Sequence, residues 1–441
     1  MQRIHTVRRI PAARRARGAA LLLLCCMTLS LCACGKPGAG RQAVRRDAAY
    51  SQTVLTLALR SGTYADVIKL CLPEFERRNN VTCLVYELGE DELHRKVAAA
   101  SAAAAVPAAD YAAATTGTAY DLCMVDGSWM AEYTANGVLA ELGKLGYELD
   151  DDIIPATRTI CYADDGLYLA PFYGNVTVLL YNKLMLKEAG YTPETVDTLE
   201  DLMAICQFQK KRHNLGFMYR GDTENNLVVD FLPILRSYDG AWVVDEHNRP
   251  TVDTMQFAAA MNYYIALLKT GRAAKKDDLI AAIANKSAAL GIGWPGWYTP
   301  TRNSSMDYLA LSGRFQDGSV AYNANVYGIW TIGIPSASPH KQLAVKLLAY
   351  LMDRDVQKST IEAGGVPCRY SSLRDPDVLR KFPQYAVVCS ALEGGIYRPV
   401  MEDWSTFYTI LGKEMRLIIN GEKTVVQGLA DAQRELEAQL Q

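Results

Sequence analysis

Trp294, Trp297 and Tyr298 put three aromatic rings into five residues, interrupted by Pro295-Gly296. One turn cannot easily bury all three rings on one face. The chemistry open to such rings is stacking on a flat apolar surface. A ligand with C–H faces and hydroxyl edges needs that surface, with amides, carboxylates or guanidinium groups around it. Residues of those types follow strand-like segments elsewhere. Ser61 and Tyr64 follow "TVLTLALR", and Asp126, Ser128 and Trp129 follow or end "YDLCMVD". Asn175 precedes "VTVLLYN", and Glu224 and Asn225 stand in a polar turn before "LVVDFLPIL". Trp404 and Tyr408 lie four apart near a helix start, with Arg398 upstream as a partner for hydroxyls or a phosphate.

Bond-making chemistry has less to stand on. Glycoside hydrolysis needs a positioned pair of carboxylates, and the many Asp and Glu residues fall into no recognisable motif. G-x-S-x-G, H-E-x-x-H and a phosphate-binding Walker loop do not occur. The 5 His are dispersed. No catalytic residue, cofactor or metal is expected. The seven cysteines beyond residue 34 are odd in number, widely spaced and without C-x-x-C, so they read as small buried hydrophobes.

The other chemistry is at Cys34. Residues 1–18 carry Arg3, Arg8, Arg9, Arg14, Arg15 and Arg17 and no acid. The apolar run at 19–33 is shorter than the roughly 20 residues of a membrane-spanning helix and fits a secretory signal. Its end, Leu31-Cys32-Ala33-Cys34, resembles the bacterial lipobox. The resemblance implies a signal peptide over 1–33, lipid on Cys34 and a Gly-, Pro- and charge-rich tether over 34–52. The protein would then be held in the cell envelope, on the periplasmic or extracellular side, by acyl chains contributing about 0.8 kcal/mol per buried CH₂.

The remaining chain, about 400 residues, is long for a single core and points to two domains. A net charge of -2 with no basic stripe beyond the leader argues against nucleic acid as a partner. The elements that must position the candidates alternate at first. "TVLTLALRSG" is a strand, followed by a helix with Val67, Leu70, Cys71 and Phe75 on one face. "VTCLVYELG" is a second strand, residues 90–105 a second helix, and "YDLCMVDGS" a third strand. The Ala- and Thr-rich stretch 106–119 reads as an irregular insertion. This is an α/β pattern. Further on, "VTVLLYNKLMLKEAG" runs from strand to helix, and Asp197 or Thr198 caps the next helix. Residues 279–290 read as helical, "NVYGIWTIGIP" as a strand bearing Trp330, and two helices close the chain.

Several stretches together resemble the maltose-binding-protein-like, extracellular solute-binding proteins of sugar ABC importers. They are "LPEFERRNNVTCLVYELGEDELHRKV", "YDLCMVDGSWMAEYTANGVLAEL", "LLYNKLMLKEAGYTPETVDTLEDL", "NKSAALGIGWPGW" and "VYGIWTIGIPSASPHKQLAVKLLAYLMDRDVQ". The resemblance implies a two-lobed periplasmic-binding-protein fold with a hinge and an interlobe ligand cleft. Matched by segment, one α/β lobe is 53–171 plus 327–374 and the other 172–326 plus 375–441. It also implies a carbohydrate captured between the lobes and delivered to the transmembrane subunits of an ABC permease, with no catalysis. Trp297 takes the place of the family's stacking aromatic. Two alternatives stay open. One is the same fold binding a polyol, glycerol 3-phosphate or a glycerophosphodiester through Arg60, Ser61 and Arg398. The other, more remote, is a secreted carbohydrate-active enzyme.

Overall fold

The computed structural model describes residues 53–104, 119–298, 304–317 and 322–440. Cys34, the leader, the tether before Thr53 and nearly all of the expected insertion at 106–119 lie outside the described residues.

Two five-stranded sheets form the frame. Their strands are β1 (Thr53–Arg60), β2 (Val81–Leu88), β3 (Leu122–Asp126), β4 (Leu169–Tyr173), β5 (Val178–Asn182), β6 (Leu215–Arg220), β7 (Arg272–Ala274), β8 (Ala288–Gly293), β9 (Met306–Leu309) and β10 (Trp330–Gly333). The first sheet has the order β2-β1-β3-β10-β4, and the second β9-β5-β8-β6-β7. In the first sheet β1 runs parallel to β2 and β3, while β10 is antiparallel to β3 and β4. In the second, β6 is parallel to β7 and β8, and β5 is antiparallel to β8 and β9. β3, β5 and β8 are buried at every residue, because helices or neighbouring segments cover both faces of each sheet.

The helices that bear on the cleft or its support are α1 (Thr63–Asn79), α2 (Glu90–Ala104), α3 (Leu199–Lys211), α4 (Glu224–Arg236), α5 (Lys276–Ala284), α6 (Trp404–Ile419) and α7 (Val425–Gln439). α1 buries Val67, Cys71 and Phe75 as expected, but Leu70 is 63% exposed. Leu72, about 200° around the helix from Leu70, takes the core position. Thr198 is the cap of α3, with a reciprocal bond from Asp201. All seven described cysteines are free, and six of them are buried.

Two expectations change. Glu224 and Asn225 form the first turn of α4, not a turn before it, because the Thr223 hydroxyl accepts from the Asn226 N–H at 3.1 Å and starts the helix there. Residues 288–293 are strand β8, not the end of a helix. α5 stops at Ala284, and Lys286 takes a left-handed φ of 67. The short apolar run that follows is buried between β5 and β6, and this packing overrides the helix preference of its alanines.

Three chain segments pass between the sheets. The first, 174–177, joins β4 to β5. The second, 324–329, leads into β10, and Thr177 N–H donates to the Val326 carbonyl at 2.9 Å. The third, around Ile396, lies beside the second: Tyr327 N–H donates to the Ile396 carbonyl at 2.8 Å. It leads on to α6, which packs against α4 over the second sheet.

Candidate ligand-binding cleft

The strand ends of the two sheets converge on one cavity of about 490 Å³, within the usual range of about 300–1,000 Å³ for small-molecule sites. Arg60 ends β1, Asp126 ends β3, and Trp330 starts the antiparallel β10 beside them. From the second sheet, Arg220 ends β6, and Trp294 follows β8. This is the crevice outside the carboxyl ends of the strands, where open α/β sheets bind ligands.

Trp297 is the half-buried ring of the aromatic turn, with the Arg220 guanidinium carbon 5.2 Å and the Lys276 Nζ 5.7 Å from its centroid. Trp294 is nearly buried and packs where Gly328 lacks a side chain; a Cβ there would come within 2.7 Å of the indole. Tyr64 meets Tyr173 and Trp330 with centroid distances of 4.8 and 5.6 Å. Burial pushes its phenol up to about 12, against the opposing pull of Arg60. Asn175 donates to the Tyr64 hydroxyl at 3.2 Å, and its buried Oδ1 accepts from no described residue.

The charges are balanced in pairs. Arg220 grips the fully buried Asp230 through Nε at 3.1 Å and a second nitrogen at 2.5 Å. Arg398 donates to Asp126 at 2.5 Å, and the same carboxylate oxygen accepts from the Ser128 N–H and hydroxyl. Arg60 stands 3.8 Å from Glu90 and donates to the Ser61 hydroxyl at 3.0 Å. Glu224 accepts from Arg416 at 3.0 Å.

The cavity therefore brings together Tyr64, Asp126, Asn175, Glu224 and Asn225, as well as Trp294, Trp297, Arg398 and Tyr408. Ser128, Trp129 and Trp404 line a smaller pocket that adjoins it. Ser61 and Tyr298 line neither. Ser61 is occupied by Arg60. Tyr298 turns into the core, its ring edge-on to Tyr308 at 5.6 Å.

Glu90, Asp91, Arg220 and Lys276 also line the cavity without being among the sequence candidates, and so does Trp330, a strand residue more often core than ligand-facing. Arg220 had a usable signal: it ends the apolar segment "LGFMY" as Arg60 ends "TLAL". Trp330 is both, 3% exposed and still part of the cavity wall. Lys276 had no such signal. It reaches the cleft only because α5 starts beside the aromatic turn.

With this geometry, comparison with known proteins is informative. The family model for bacterial extracellular solute-binding proteins matches residues 72–384, and the chain belongs to that family. A probable amino-acid ABC transporter periplasmic-binding protein, y4oP, of Sinorhizobium fredii is 23% identical over 302 residues, spanning 66% of this chain and 68% of that protein. The maltose-bound MalE3 structure of T. maritima superposes with a TM-score of 0.75 at 20% identity, over 88% of this chain and 99% of that one. A ribitol complex of an ABC transporter solute-binding protein from Agrobacterium radiobacter superposes with a TM-score of 0.72 at 21% identity, over 88% and 98%. These establish the two-lobed fold of an extracellular solute-binding protein. The family and its structural neighbours are transport proteins, not enzymes. No helix among the described residues is long and apolar enough to cross a membrane.

Proposed function

We propose that the protein captures a carbohydrate or polyol between its lobes and passes it to an ABC permease, held at the membrane by lipid on Cys34. The observation that carries this reading is the Trp297 ring, half-exposed in an interlobe cavity whose guanidinium groups are each set beside a carboxylate. A ring face suits the C–H surface of a sugar or an extended polyol, and paired charges offer oriented donors and acceptors for hydroxyls. The neighbours bound to maltose and ribitol point the same way. Phosphorylated ligands fit less well, since a dianion at Arg60 or Arg398 would sit against Glu90 and Asp126. We draw the lobes as 53–171 with 327–395 and 172–326 with the chain from Ile396 on. The third crossing lies around Ile396 rather than at 375, because the helix Tyr385–Gly394 packs on residues 155–158 beside the first sheet.

Thermal unfolding of the purified protein against mono-, di- and oligosaccharides, polyols and glycerol phosphates tests the reading. A ligand at one hundred times its dissociation constant stabilises by about 2.7 kcal/mol. The expected result is a shift with a sugar or polyol that Trp297→Ala abolishes while the melting point of the free protein changes little. A shift only with phosphorylated compounds would replace this reading with glycerophosphoryl uptake.

A further inference from the structure

A side pocket of about 50 Å³, room for one or two groups the size of water, adjoins the main cavity. Glu90, Asp91, Asn225, Arg398 and Tyr408 line both. Beyond them the side pocket is lined by Trp129, Trp404, Glu132 and Glu402, with His94 and Ser128 beside them. Its charge is one-sided. Arg398, the one permanent cation in its wall, is already committed to Asp126, and Glu132 is engaged by His94 at 2.8 Å. Neither Asp91 nor Glu402 makes an ion pair among the described residues. Glu90 has only the 3.8 Å approach of Arg60.

The hydrogen-bonding inventory leans the same way. The buried Asn225 Oδ1 has no donor, which adds an acceptor to the three carboxylates. Two donors are also unused: the indole Nε1–H of Trp404, a side chain 4% exposed, and the Nε–H of Arg398, 7% exposed. An ammonium offers three donors and no acceptor, and a neighbouring hydroxyl offers a lone pair to an indole or guanidinium N–H. The local field acts on its neighbours. The Glu90 carboxyl is held above its ordinary value by burial and then by Asp126. The Tyr408 phenol is held up by burial and then by Asp91 and Glu90. Trp129 and Tyr408 supply ring surface for a cation.

We infer that the side pocket takes a primary ammonium group, so that the preferred ligand is an amino sugar or aminopolyol whose ring or chain lies in the main cavity. Glu90, Asp91 and Glu402 receive the ammonium, and Trp404 and Arg398 donate to the adjacent hydroxyl. The inference rests on the carbohydrate reading and sharpens it.

Matched pairs test it by calorimetry at neutral pH: glucose with glucosamine, galactose with galactosamine, sorbitol with glucamine, and cellobiose with the glucosamine disaccharide. N-acetylated forms serve as uncharged controls. The expected result is that at least one amine binds about tenfold or more tighter than its neutral partner and its N-acetyl form. Glu402→Gln, at a carboxylate that lines the side pocket and not the main cavity, should then remove most of that preference while leaving the neutral partner's affinity in place. The Glu402 side chain is exposed, so the substitution leaves the core intact. Neutral partners binding as tightly as the amines would overturn the inference and keep the carbohydrate reading. Amine preference that survives Glu402→Gln undiminished would overturn the side-pocket assignment. Failure of every sugar and polyol to bind would overturn both.

Discussion

Arg220 owes its place in the cleft to Asp230. Asp230 sits on α4, fully buried, and receives both the Arg220 backbone N–H at 3.0 Å and its guanidinium. Taking two charges out of water is costly, and the pair persists because each satisfies the other. Asp230→Ala would leave a buried guanidinium without its counter-charge. The expected loss is about 3–5 kcal/mol, read from the denaturant midpoint of unfolding, together with weaker ligand binding as Arg220 leaves Trp297. The residue types of the site were partly legible. Aromatics broken by Pro-Gly, and polar residues after strands, led to nine of the cavity's lining residues. What sequence could not reveal is which of them are already spent. Ser61 is taken by Arg60, and Tyr298 by the core. Asp126 and Arg398, 272 residues apart, hold each other.

At the scale of elements, local signals served well where an end was chemically marked. α3 begins at Thr198, whose hydroxyl accepts from the Asp201 N–H while the Asp201 carboxylate receives the Thr198 N–H. Thr198→Ala should cost about 1 kcal/mol of unfolding free energy. Ligand affinity should be unchanged, since α3 does not line the cavity; a loss of binding would mean that the second lobe's outer helices move with the site. α7 carries the same reciprocal cap between Thr424 and Gln427. The misreadings fall where the deciding contact is distant. "AALGIG" is a strand because β5 and β6 flank it. Glu224 opens a helix because Thr223 is free to cap it, a signal present in the sequence and passed over.

At the scale of the whole molecule, closeness of the lobes is written into one glycine. The Thr63 hydroxyl of the first lobe donates to the Gly296 carbonyl of the aromatic turn at 3.3 Å. A Cβ on Gly296 would lie 2.1 Å from the Tyr173 hydroxyl, which is itself fixed on the Gly364 carbonyl at 2.5 Å. Overpacking of this kind costs about 1–3 kcal/mol, and here the cost falls on the arrangement in which the lobes meet. Gly296→Ala should weaken ligand binding about tenfold or more. X-ray scattering should show a larger radius of gyration than for the parent protein under the same ligand. Equal affinity and equal scattering would show that this contact does not limit closure.

By itself the sequence determined the alternation of strands and helices, the capped helix starts, the family resemblance and the kind of side chain available to a ligand. Each of these is a local property, set by periodicity, by a cap or by a turn within a few residues. Tertiary structure alone decided which charges are paired, which aromatic ring is left half-exposed, and that Glu90, Asp91 and Glu402 share one small pocket with Trp404. Those outcomes depend on segments hundreds of residues apart meeting at the strand ends. Pairing and burial there are properties of the packed cleft, and no stretch of chain carries them alone.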